Sequence, residues 1–152
     1  EGLIDVAASM HVGPRGPTND NTVFDYTRGV GFKLVDGHEL FETGLANTAN
    51  SLVSDLQGRD VYLCFDMDFF DPSCAPGVCT PTWGGASARE GLGFLQALLG
   101  LNVVGADINT VSPPHDVGGM TAFLAGTVAL EILTLFCHAK GLITDHGQPA
   151  CS

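Results

Sequence analysis

The sequence predicts an α/β protein with a mostly parallel sheet, and three observations carry that expectation. Val61 to Phe65 and Leu101 to Ala106 are short apolar runs of strand length, each followed by an aspartate, the pattern of buried parallel strands. Between them, Ser87 stands three residues before Glu90, a capping box that opens a helix running to about Leu99. Along the chain, strands, loops and helices alternate, which implies crossover helices joining parallel strands.

The elements follow in order. Ala7 to Val12 reads as a strand that ends in the turn Gly13-Pro14-Arg15-Gly16. Residues 17–30 are rich in Pro, Asn, Asp, Thr and Gly and read as a loop. Phe32 to Val35 reads as a short strand. Leu40 to Leu56 has helical spacing in Leu45, Ala49, Leu52, Val53 and Leu56, with Gly58 as its stop. Val61 to Phe65 is a buried strand with Asp66 and Asp68 at its end. Phe69 to Ala86 is a long loop, and Asp107 closes the strand from Leu101. Ile108 to Gly118 is a second loop, and the last helix spans about Gly119 to Lys140. Residues 1–140 form the domain portion, and 141–152 read as a tail.

The 152 residues include 45% apolar side chains and 20 glycines, a composition for a packed core with many turns. The net charge is -11, from 17 acidic and 6 basic residues. That field repels phosphate backbones, so nucleic acid is not an expected partner, and it attracts cations. Five cysteines lack a Cys-x-x-Cys pair and read as reduced cytoplasmic thiols. The start carries no basic segment followed by an apolar run. The apolar stretch from Thr121 to Cys137 contains Glu131 and reads as a buried helix, not a membrane span.

The sharpest chemical feature is Asp66-Met67-Asp68-Phe69-Phe70-Asp71-Pro72. In a strand, residues i and i+2 face one side, so Asp66 and Asp68 project together from the carboxyl end, where open α/β sheets place ligands. Two such carboxylates repel unless one is protonated or a cation bridges them. Hard divalent ions such as Mn²⁺ or Mg²⁺ suit them. The motif alone also occurs in nucleotide-sugar transferases and aspartyl-nucleophile phosphatases, and a turn-capping role is the plain alternative. A transferase needs a Gly-rich phosphate loop between strand and helix, which the sequence lacks.

The surroundings add specificity. Asp66-Met67-Asp68-Phe69-Phe70-Asp71-Pro72 leads into Ala75-Pro76-Gly77, Thr80-Pro81, then Gly84-Gly85 and Arg89-Glu90. Further on come Val104-Gly105-Ala106-Asp107-Ile108, Val111-Ser112-Pro113-Pro114-His115-Asp116 and Met120-Thr121-Ala122. Upstream stand Glu1-Gly2-Leu3-Ile4 and Val12-Gly13-Pro14-Arg15. This ordered set resembles the ureohydrolase (arginase/agmatinase) family, in its agmatinase-like branch, over residues 1–138 and as the C-terminal half of such a domain.

The resemblance implies a three-layer α/β/α sandwich with a mostly parallel sheet. It implies two divalent metal ions, Mn²⁺ as the family default and Ni²⁺ as an alternative, and release of urea and an amine from a small cationic guanidino substrate. By residue matching, Asp66 and Asp68 are metal ligands. Asp71, Asp107 and Asp116 are groups that fix or orient the site, or else acids that cap turns. Thr110 stands where the family usually has a Glu that contacts the guanidinium, so a neutral hydroxyl replaces a charge there. Guanidine itself, a substituted guanidine or a biguanide then become candidate substrates. Trp83 is placed to stack on a planar cation, or to pack within its loop. Homo- or hetero-oligomers, trimers or hexamers, are the family habit. The family's Gly-Gly-Asp-His and Asp-Ala-His-x-Asp segments are absent, and neither His11 nor His38 stands in such a motif. The alternative function is therefore a non-catalytic subunit or degenerate homologue in a hetero-oligomer.

Overall fold

The computed structural model of the chain describes residues 2–18, 20 and 22–144. Strand β1 (Met10–Val12) pairs in parallel with β2 (Lys33–Val35), placing His11 opposite Leu34. Strand β3 (Asp60–Asp66) pairs in parallel with β4 (Asn102–Asn109), with Cys64 opposite Asp107 and Asp66 opposite Asn109. Helix α1 (Val23–Gly29) precedes β2, and α2 (Gly37–Thr43) and α3 (Leu45–Asp55) follow it. Helix α4 (Ala88–Gln96) lies between β3 and β4, and α5 (Met120–Ala139) closes the order. Both ladders are parallel, as the alternation of elements predicts.

Helix α5 packs against β4 and α4, and α3 against α4. Their shared core contains Phe65, Phe70, Leu95, Leu98, Val103, Val128, Ile132 and Leu135. Each such side chain contributes about 1.5–3 kcal/mol when fully buried. The capping box is present as expected: the Ser87 hydroxyl accepts from the Glu90 N–H, and Glu90 accepts from the Ser87 N–H.

Several local expectations need correction. The strand expected from Ala7 begins only at Met10, because Val6–Ala8 is a 3-10 turn capped by the Asp5 carboxylate. The segment read as a loop contains α1; Asp20 accepts from the N–H and hydroxyl of Thr22 just before it. Polar residues of that kind suit loops and helix starts alike. The single helix expected over Leu40–Leu56 is two helices, broken at Gly44, whose φ of 88° lies in the region open to glycine. Strand β4 runs on through Asp107 to Asn109, so Asp107 lies within the strand and not at its end.

Burial departs from the sequence reading on β3, on β4, where Val103 is buried but Val104 is exposed, and on α5. Tyr62, Cys64 and Asp66 on β3 are exposed while Phe65 faces the core, so β3 is one-sided. Helix α5 buries only one stripe, of Thr121, Val128, Ile132 and Leu135, while Phe123 is 78% exposed and Leu130 65%. One face of a helix meets β4 and α4; an all-round apolar composition does not bury the other. By length and composition α5 would also cross a membrane, but its buried stripe belongs to the core. Residues 145–152 of the expected tail lie outside the described residues.

Candidate metal centre

Strand β3 delivers Asp66 as its last residue, and the chain then turns through the 3-10 helix Met67–Phe69 that carries Asp68. Strand alternation therefore does not bring the two carboxylates together. Asp68 instead sits on a turn where its charge is felt by Asp66, and that turn is anchored on either side of Asp68 by the fully buried Met67 and Phe70. Desolvation raises the Asp66 pKa, repulsion from Asp68 raises it further, and a hydrogen bond from Asn109 partly offsets both. Asp107 and His11 add smaller effects of opposite sign. His11, on β1, is exposed and meets Phe32 edge-on, with ring centroids 5.0 Å apart.

Asp68 is held at its N–H, its carbonyl and one carboxylate oxygen. Its N–H donates to Thr110 Oγ1 at 3.3 Å. Its carbonyl accepts from Arg15 Nη2 at 2.6 Å. Its Oδ2 accepts from Thr80 Oγ1 at 2.5 Å. Arg15 reaches in from the turn after β1, and the same Nη2 donates to the carbonyls of Phe70 at 3.0 Å and Thr82 at 2.8 Å. One guanidinium thus staples both arms of the 68–86 loop. Burial lowers the Arg15 pKa, and Asp68 and Asp71 oppose that effect. Gly85 is required beside it, since a Cβ there would come within 2.6 Å of the Asp71 nitrogen and collide with the guanidinium.

Asp71 closes the loop on itself. Its Oδ1 accepts from Ser73 N–H at 2.9 Å, and its Oδ2 from the N–H groups of Gly84 at 2.9 Å and Gly85 at 3.2 Å. Bonds from Ser73, then those from Gly84 and Gly85, lower its pKa to about 2. Thr110 has φ of 67°, costly for a β-branched residue. It is kept there because its carbonyl accepts from Cys79 N–H at 2.9 Å and its hydroxyl donates to the Asn109 carbonyl at 2.7 Å.

The remaining acids and Trp83 lie in different settings. Asp107 accepts from Asn109 Nδ2 at 2.8 Å, and bonds from Asn109, Tyr62 and Cys64 lower its pKa. Asp116 receives the N–H groups of Thr121 and Ala122, both at 3.0 Å, at the start of α5. Trp83 is 75% exposed, beside Gly84. Arg15 and Thr80 do not stand out as site residues from sequence, although both lie within the family-like motifs. What links each to Asp68 is a contact across 53 and 12 positions, which spacing does not reveal.

Two hard oxygen donors, one disfavoured as an anion by the other, fit a divalent cation. Among the described residues no group of three or more His, Cys, Asp or Glu converges to hold an ion. Acids at the carboxyl end of a parallel strand, framed by a glycine-bearing loop, mark an α/β protein with carboxylates where such sheets place their ligand sites. The chain belongs to the Arginase family, whose model matches residues 1–135. It is 39% identical to proclavaminate amidinohydrolase of Streptomyces clavuligerus over 91% of this chain and 44% of that one. It is 34% identical to guanidinopropionase of Pseudomonas aeruginosa over 91% and 44% of the two chains. The solved Streptomyces clavuligerus enzyme superposes with a TM-score of 0.82, covering 90% of this chain and 45% of that one. Arginase from Bacillus caldovelox gives 0.71 at 28% identity, covering 84% and 42%. The chain thus spans less than half the length of these relatives, and it has their α/β fold.

Proposed function

We propose that this chain is part of a metal-dependent amidinohydrolase that cleaves a guanidino C–N bond, releasing urea and an amine. The observation that supports this most is the fixed Asp66–Asp68 pair at the end of β3, in a chain 39% identical to an amidinohydrolase over 91% of its length. Asp66 and Asp68 would hold two divalent ions, Mn²⁺ by family habit and Ni²⁺ as the alternative. When bound, such ions lower the pKa of water toward neutrality. The remaining ligands would come from a preceding part of the same polypeptide. Asp71 holds the loop that carries Asp68, and Asp107 and Asp116 act from further out.

The substrate is a small guanidino cation. Thr110 offers it a neutral hydroxyl whose single proton is already given to the Asn109 carbonyl, so it can only accept. That favours guanidine, a substituted guanidine or a biguanide. Trp83, exposed on the loop, is available to stack on the planar cation. The uncovered apolar face of α5, with Phe123 and Leu130, suits a subunit contact in a trimer or hexamer.

A second reading is a non-catalytic subunit in a hetero-oligomer. It draws on the lack of a third converging ligand among the described residues. One experiment separates the two: metal content of the full-length polypeptide, with urea release from agmatine, guanidine, methylated guanidines and guanidino acids. About two ions per chain and urea from one compound support the hydrolase. Neither metal nor urea supports the subunit and removes the enzyme reading.

A further inference from the structure

Thr80 is an exposed residue on a loop, yet its hydroxyl makes the short bond of 2.5 Å to Asp68 Oδ2. We infer that Thr80 is a positioning residue: it sets the Asp68 carboxylate for a divalent cation. The inference rests on the metal-centre reading above.

The main chain of Asp68 is already fixed, by Arg15 at its carbonyl and Thr110 at its N–H. What remains free is rotation of the carboxylate, whose terminal torsion is broad and roughly two-fold. A hydroxyl donating to one oxygen selects an orientation. A hydrogen bond to an ionised acceptor is among the stronger ones. Among the described residues no other side chain donates to the Asp68 carboxylate, so Thr80 alone selects its orientation, and each oxygen keeps a lone pair for a cation.

Thr80 is itself held by the fold. Its neighbour Cys79 donates its N–H to the Thr110 carbonyl, and Ser112 donates to the Gly77 carbonyl at 2.8 Å, so residues 77–79 pair with 110–112. Val78 and Val111 form an antiparallel bridge in the same place. Thr80 therefore leaves a paired segment in a defined direction and reaches Asp68 without needing to be buried. Groups that orient metal ligands typically change metal affinity by about 10–100-fold when removed, whereas an exposed loop side chain without such a role changes little.

The test uses the metal-stripped full-length polypeptide, titrated with Mn²⁺ while the free-ion EPR signal is followed. Thr80→Val keeps the shape and removes the hydroxyl; Thr80→Ser keeps the hydroxyl. The expected result is Mn²⁺ affinity lower by about 10-fold or more in Thr80→Val and near wild type in Thr80→Ser, with the same metal-free melting temperature in all three. Thr80→Ala serves as a second hydroxyl-free variant and should match Thr80→Val. Wild-type affinity in either folded hydroxyl-free variant overturns the inference while the metal-centre reading stands. A wild-type protein that takes up no Mn²⁺ sinks that reading and this inference with it.

Discussion

The N–H of Gly77 donates to the buried hydroxyl of Thr121 at 2.8 Å, tying the loop before Thr80 to the first turn of α5. Thr121 is fully buried, and its own N–H goes to Asp116. Gly77 has no room for a side chain, since a Cβ would stand 2.5 Å from that of Asp116. Loop, acid and helix start are thus one packed unit.

Replacing Thr121 by Val leaves the Gly77 N–H buried without its acceptor. The expected loss is about 1–3 kcal/mol of stability, the cost of an unsatisfied buried donor. Urea unfolding measures it. A loss near zero would mean that the loop relaxes to hydrate Gly77.

Asp66→Asn should have two effects of opposite sign. The folded-state pKa of Asp66 is raised, by desolvation first and Asp68 second. A raised acid opposes folding once pH exceeds its unfolded value, and more so as pH rises through the folded value. At neutral pH the neutral amide should therefore stabilise the metal-free protein, while metal uptake falls. Thermal melts with and without Mn²⁺ read both. Destabilisation of the metal-free form would show that Asp66 serves the fold and not an ion.

Asp71 predicts an acid-sensitive loop. Its folded pKa is held down to about 2, below the usual carboxylate range, by the hydrogen bonds from Ser73, Gly84 and Gly85. A lowered acid contributes stability above the unfolded pKa, and that contribution is lost as pH falls toward the folded one. The urea midpoint should therefore drop between about pH 4 and pH 2, and drop less in Asp71→Asn. Parallel pH curves for the two proteins would remove Asp71 as the cause.

Gly91, on the first turns of α4, faces the ring of Phe70, and a Cβ there would overlap it. Phe70 is fully buried and carries the carbonyl that Arg15 bonds. Gly91→Ala should cost about 1–3 kcal/mol through overpacking, despite the better helix propensity of Ala. If calorimetry shows a gain in Tm instead, Phe70 has room to move and the anchor of the Asp68 turn is looser than described.

Much of the site was legible because its residues are contiguous. Asp66 to Glu90 carries both carboxylates, the Asp71 loop and the capping box in one stretch. What was not legible came from contacts between distant segments. Arg15 reads as a turn residue until its guanidinium is seen among three carbonyls. Thr110 reads as a replacement in a substrate pocket until its hydroxyl is seen on the Asp68 backbone. Helix α1 has a loop-like sequence because Asn, Asp and Thr serve both states.

By itself, the sequence determined the alternation of strands and helices, the parallel pairing and the placing of two acids two positions apart where β3 ends. Local patterning carries all three: apolar runs of strand length, a capping box, and carboxylates two positions apart. Only the tertiary structure decided how Asp66 and Asp68 are placed and which faces are covered. A 3-10 turn anchored by Met67 and Phe70 carries Asp68 past the strand end, where its charge acts on Asp66, and α5 buries one stripe while Phe123 stays in solvent. Burial depends on what packs against a residue from elsewhere in the chain, and no local pattern contains that information.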